Sequence, residues 1–199
     1  METFIRYFFR LVAEQTENVS IVSFIATALI GILAVNLVWL VMERKTDRVV
    51  PVWKKRVIIA LIIYVSITYH ITFDSREAGS KGNIVTALDF GSWRGDYFSV
   101  QQMIYSVLNV LLFIPFGFLM GILKRECTGG RRILLCTLYS FLGSFCIECV
   151  QLVTARGYFE VTDIVTNTLG GMCGSLLASA IYVLKKSSGL NNPKGAESS

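Results

Sequence analysis

Residues 146–174 read CIECVQLVTARGYFEVTDIVTNTLGGMCG. The stretch joins two strongly apolar arms through a short polar tip and carries Glu148, Arg156, Glu160 and Asp163. A chain folding in water would spread such charges over its surface. Here they are gathered between arms that hold almost none. The simplest arrangement is a helical hairpin over 133–184 that turns near Gly157. Glu148 and Gln151, at i and i+3, share one helix face, and Asp163 and Asn167, at i and i+4, share another. Counting equally from the turn sets Gln151 level with Asp163 and Glu148 level with Asn167. Two polar rungs then face each other within roughly 15 Å of the tip, at a rise of 1.5 Å per residue. Asn167, Gly170, Gly171 and Gly174 continue one stripe, and small residues at this spacing let helix backbones approach closely.

The rest of the chain has the same character. Of its 199 residues 53% are hydrophobic and only 17% are charged, against about 25% charged in a soluble domain. The mean hydropathy is +0.57. Uncharged runs cover 19–42, 57–73, 97–123 and 164–184, and 133–153 is interrupted only by Glu148. About 20 helical residues cross the hydrocarbon core of a bilayer. The expected fold is therefore all-α, a polytopic membrane bundle of five transmembrane helices. The first run is too long for the apolar part of a signal peptide and no A-x-A site closes it, so it reads as a retained span.

In such a chain the net charge of +5 reports topology before it reports any nucleic-acid partner, and none is expected. Lys and Arg number thirteen on the side holding 43–56, 124–132 and the tail, against six on the other. The rich side is expected to be cytoplasmic. That places the N-terminus, the 74–102 loop and the turn with Arg156 outside, and the C-terminus inside.

Residues 1–18 repeat apolar positions at helical spacing and predict an amphipathic segment lying in the membrane interface. Two N-terminal spans fill 19–73, a three-helix core fills 83–184, and the polar tail 185–199 is expected to be a disordered cytoplasmic extension. The 74–102 loop is long, rich in glycine and carries Trp93 and Tyr97 as interfacial anchors. His70 reads as a polar residue of the interface. Five cysteines without a secreted-domain pattern predict no disulfide framework. The C-x-x-C of Cys146 and Cys149 reads as small apolar packing. No metal site and no cofactor motif is expected.

The third span adds Asn109, about two turns from its outer end, and Pro115, which is expected to break the helix below it, with Gly117 letting the kink pack. A carboxylate near the centre of a bilayer costs about 2.5–3.5 kcal/mol on insertion scales, so intramembrane acids usually face an interior or a watery cavity. Two readings follow. Glu148 is tied to Gln151, Arg156 and Asn109 to hold helices together, or these groups form an outward pocket. In the second reading Arg156, a planar fork suited to carboxylate or phosphate, stands at the lip. The candidate ligand-binding residues are Asn109, Glu148, Gln151, Arg156, Asp163 and Asn167. The structural ones are Pro115, Gly117, Gly170, Gly171 and Gly174.

Asn109, FIPFGFLMG at 113–121, Glu148-x-x-Gln151, Arg156, and Asp163-x-x-x-Asn167-x-x-Gly170-Gly171-x-x-Gly174 together closely resemble the VanZ-like family of small bacterial membrane proteins. The resemblance covers roughly 83–184, with Asn83-Ile84-Val85 at its start and Thr86-Ala87 where members often carry Pro-Phe. It implies a link to resistance against glycopeptide antibiotics, teicoplanin in particular, and it supplies no catalytic residue. One expected role is a membrane binding protein whose partner is a membrane lipid, a lipid-linked cell-wall precursor or a lipid-tailed glycopeptide. The other is a membrane enzyme or carrier acting on a lipid-linked substrate, with Glu148 or Asp163 as acid or base. The sequence holds no H-E-x-x-H, nucleophile elbow or P-loop, and no inverted repeat is visible.

Overall fold

The computed structural model describes residues 2–46, 49–74, 79, 83–94 and 96–187. The predicted tail from 188 onward lies outside them. Among the described residues six helices follow one another: α1 (Glu2–Thr16), α2 (Ile21–Thr46), α3 (Val52–Phe73), α4 (Tyr97–Leu123), α5 (Gly129–Val153) and α6 (Val161–Ser187). The last five are each long and apolar enough to cross a membrane, as the sequence predicted. Two short strands, β1 (Ile84–Val85) and β2 (Phe159–Glu160), pair in parallel.

Helix ends outrun the apolar runs. α3 begins at Val52 rather than Val57, because Pro51 sets an extended φ of −55° and ψ of 139° at its N-cap and charged side chains at an interface need not stop a helix. Its first-turn lysines find acids. Lys55 meets Glu43 at 2.9 Å and Lys54 meets Glu126 at 3.2 Å. α4 starts where the Asp96 carboxylate accepts the Ser99 N–H at 2.9 Å, an N-cap that satisfies one orphan donor.

α6 is the centre of the bundle. Lipid tails are as apolar as leucine, so close packing rather than water exclusion must hold membrane helices together. The glycines supply it. A methyl group at Gly170 would run into the Val110 carbonyl, one at Gly174 into the Ile114 carbonyl, and one at Gly117 into the backbone of Gly171. Only Gly171 opens toward α5, where a methyl would meet the Ser140 side chain. The stripe predicted to tighten the α5–α6 hairpin thus mainly seats α6 on α4.

Pro115 does not break α4, which runs through it from Tyr97 to Leu123. Proline removes the N–H that would serve the carbonyl four residues back, at Leu111. One residue on, the Leu112 carbonyl accepts the Tyr64 hydroxyl of α3, so the weakened turn is tied to a neighbour.

α2 lies at the edge. Only Ala28 and Trp39 of it are buried, and Ile21, Val22, Ile30, Leu33 and Leu37 are exposed on its outer face. A polar tie holds its N-terminal half. His70 of α3 is 3% exposed, with Nε2 3.0 Å from Thr27 Oγ1 and Nδ1 2.6 Å from Asp74 Oδ2. The histidine expected at the interface is thus a buried bridge. α1 is helical as the amphipathic spacing predicted, with Leu11 buried and Ile5 and Phe9 exposed.

Candidate functional site

The hairpin tip is built in an unexpected way. The left-handed residue is Ala155, at φ 49°, and not Gly157. Arg156 N–H bonds to the Gln151 carbonyl at 3.0 Å and Ala155 N–H to the Leu152 carbonyl at 3.1 Å. This is the Schellman closure of a helix C-terminus, usually made by glycine. The chain then extends through Phe159, whose N–H bonds to the Asn83 carbonyl at 3.0 Å, and the β1–β2 pairing anchors the 83–94 loop against the tip. Asp89 N–H bonds to Thr162 Oγ1 at 3.0 Å, fastening the same loop to the start of α6.

Beneath this cover lies a cavity of about 40 Å³ lined by Ile71 and Thr72 of α3, Asn109, Leu112 and Phe113 of α4, Ile147, Glu148 and Gln151 of α5, and Asp163 and Asn167 of α6. Five of the six residues singled out from the sequence therefore meet at one place. Asn109 stands twelve residues into α4, about 18 Å along it.

Glu148 and Asn167 each have a hydrogen-bond partner other than the one that counting from the turn suggests. Glu148, 1% exposed, has Oε2 2.8 Å from the backbone N–H of Glu160, just before α6. A carboxylate at a helix N-terminus is favoured by the orphan donors and the dipole there, and this draws Glu148 toward the tip. Asn167 Nδ2 instead donates to Ser144 Oγ at 2.9 Å, one turn deeper. Asp163 sits in the first turn of α6, again where negative charge is favoured.

Arg156 does not line the cavity. Its Nη1 donates to the Phe73 carbonyl at 3.3 Å, at the C-terminus of α3, where a cation complements the dipole. The arginine expected to greet a ligand at the lip instead ties α3 to the hairpin tip. The cavity wall is consequently rich in acceptors. Among the described residues, Gln151 Oε1 and Asn167 Oδ1 are buried and without a hydrogen-bond partner, a cost of about 1–3 kcal/mol each. Gln151 is 2% and Asn167 5% exposed. Such a wall suits a guest that donates hydrogen bonds or carries positive charge. No three of His, Cys, Asp or Glu converge as metal ligands among the described residues.

A second recess adjoins the first. It has a volume of about 270 Å³ and runs between α1 and α4, lined by Val12, Thr16, Ile71, Leu108, Asn109, Leu111 and Leu112. Ile71, Asn109 and Leu112 belong to both walls. The contributions of Ile71, Thr72 and Ser144, and the whole apolar recess, were not foreseen. The two residues of α3 carry no polar pattern of their own, and Ser144, like Ser140 four residues before it, reads as an ordinary small packing residue of a membrane helix.

The family model described as VanZ/LLP1 matches residues 56–183. The chain belongs to the VanZ/LLP1 family. The VanZ/LLP1 match begins in α3, which contributes Ile71 and Thr72 to the polar cavity, and ends in α6. A 66-residue segment is 35% identical to Protein VanZ of Enterococcus faecium, covering 33% of this chain and 38% of that protein. The chain thus matches well under half the length of that relative. No solved structure matches. Five membrane-length helices and VanZ/LLP1 membership make this a multi-pass membrane protein.

Proposed function

We propose that this protein is a membrane binding protein that lowers the action of glycopeptide antibiotics with a lipid tail, such as teicoplanin. It engages the drug, or the lipid-linked cell-wall precursor that the drug seeks, from the outer leaflet. One observation carries the reading. A polar, acceptor-rich cavity and a larger apolar recess share Ile71, Asn109 and Leu112 as a common wall. Adjacent polar and apolar recesses suit an amphiphile whose donor groups turn toward the acids and whose chain lies along α1 and α4. Each buried methylene contributes about 0.8 kcal/mol, so a tailed ligand gains what an untailed one does not. Membership of the VanZ/LLP1 family supports the antibiotic side of the reading. Glu148 Oε2 bonded to the Glu160 N–H suits a fixed recognition group better than a proton-transfer group.

The test is production of the protein in a susceptible Gram-positive host, with inhibitory concentrations of teicoplanin and vancomycin. Protection greater against teicoplanin is expected, lost in Glu148→Ala and Leu108→Trp and kept in Cys146→Ala, at equal membrane levels by immunoblot. Leu108→Trp fills the apolar recess. Equal protection against both drugs defeats the tail argument, and full activity of Glu148→Ala removes the cavity from the mechanism.

A further inference from the structure

The cavity of about 40 Å³ is small. A water occupies roughly 30 Å³ of the liquid, so this space suits an ion, a few waters or a single donor group of a larger molecule, and not a whole sugar or peptide. Its wall has a particular chemistry. Gln151 Oε1 and Asn167 Oδ1 are buried without a hydrogen-bond partner among the described residues. Both belong to residues that line the cavity, and both residues are more than nine-tenths buried. Glu148 and Asp163 line it too and bring carboxyl oxygens, and Asn109 adds a further amide. Buried polar atoms in folded proteins nearly always have a partner, and each exception asks for one.

We infer that the polar cavity is a binding site for one small hard cation, held by the amide oxygens of Gln151 and Asn167 and favoured by the carboxylates of Glu148 and Asp163. Hard cations take oxygen ligands from carboxylates, side-chain amides and waters, which is the donor set present. An anion would find only amide and hydroxyl donors, those of Asn109 and Thr72 among them, against two carboxyl groups. Soft or borderline metals prefer sulfur or imidazole, and neither lines this cavity. Magnesium demands near-ideal octahedral geometry and dehydrates reluctantly, so a cavity that admits few waters favours sodium or calcium. The ion would sit between α4, α5 and α6 and add a tie at the end where α5 meets α6 through Asn167 and Ser144. The inference concerns the same cavity as the function proposed above and places the ion at its polar end, beside the wall shared with the apolar recess.

The test uses the full chain purified in detergent, with choline chloride as background and radiolabelled sodium and radiolabelled calcium as ligands. One of the two ions should bind saturably at one per chain, and raising its concentration should raise Tm. Gln151→Leu should weaken binding tenfold or more. Asn167→Asp retains an oxygen and adds charge, so it should shift preference toward calcium. A purely structural asparagine would give no such change of selectivity. Saturable binding of sodium assigns a monovalent site, and of calcium a divalent one. Absence of saturable binding of both ions to the wild-type protein overturns the inference, whatever the variants do. Binding unchanged in both Gln151→Leu and Asn167→Asp also overturns it. Antibiotic protection is not read here, so the ion site and the amphiphile reading stand or fall separately.

Discussion

Ala155 shows how a single residue sets the geometry of the hairpin tip. It occupies the left-handed region at φ 49°, which costs an L-residue roughly 1–2 kcal/mol relative to glycine. Ala155→Gly should therefore stabilise the fold by about 1 kcal/mol, offset in part by the greater freedom of glycine in the unfolded chain. The measurement is Tm in detergent, and a fall in Tm would show that the Schellman closure is not limiting. Sequence reading assigned the turn to Gly157 because glycine is the usual occupant of such a position. The turn is followed at once by the β1–β2 pairing, a contact between segments more than seventy residues apart that no local pattern reveals. The partner of Arg156 was hidden for a related reason. The charge and position of the arginine were visible, but its partner is a backbone carbonyl of α3, and carbonyl partners leave no trace in a sequence. Glu148, Gln151, Asp163, Asn167 and Asn109 were legible because polar side chains are costly in lipid and therefore stand out against an apolar background.

At the level of elements, the contact between α4 and α6 carries the bundle. Gly117, Gly170 and Gly174 each leave no room for a side chain against facing backbone. Overpacking a tight interface costs about 1–3 kcal/mol, occasionally more, and backbone yields less readily than a side chain. Gly174→Leu should accordingly cost at the upper end of that range and lower both Tm and membrane levels. Leu177→Ala, one turn on and 52% exposed, should change Tm little, because it faces away from the helices. If Gly174→Leu melts like the parent, the α4–α6 seat is wrong. A second prediction tests the proline turn. Tyr64→Phe removes the hydroxyl that serves the Leu112 carbonyl and should cost about 1 kcal/mol, in the Pro115→Ala background as well, because an alanine N–H at 115 would serve Leu111 and not Leu112. Relief of the loss in the Pro115→Ala background would show instead that the hydroxyl compensates for the proline. The glycine spacing was legible as close packing, but not its partner. A stripe on one helix says that something approaches, and α4 and α5 were both available.

At the scale of the whole molecule, every feature of the candidate site lies toward one end of the bundle. The C-termini of α3 and α5 and the N-termini of α4 and α6 gather there, with the loop through β1 folded over them. The opposite end holds most of the basic groups, some of them over aromatic rings. Arg125 Cζ lies 3.5 Å from the Trp53 ring centroid, and Lys124 Nζ lies 5.2 Å from that of Tyr139. Lys and Arg flanking spans are retained in the cytoplasm, and aromatic side chains favour the interface. The asymmetry of thirteen basic residues against six therefore predicts that the site end faces outward. An antibiotic or precursor in the outer leaflet could reach it only in that orientation. In a variant whose five native cysteines are replaced, single cysteines at Phe90 and Thr128 sample the two ends. Both positions are exposed. A membrane-impermeant thiol reagent applied to intact cells should label the first and spare the second, and both should react once the membrane is opened. The reverse pattern would put the polar cavity on the cytoplasmic side. The proposed encounter with an outer-leaflet drug would then be impossible, whereas the cation site, which depends only on the wall of the cavity, would remain open to the ions of the cytoplasm.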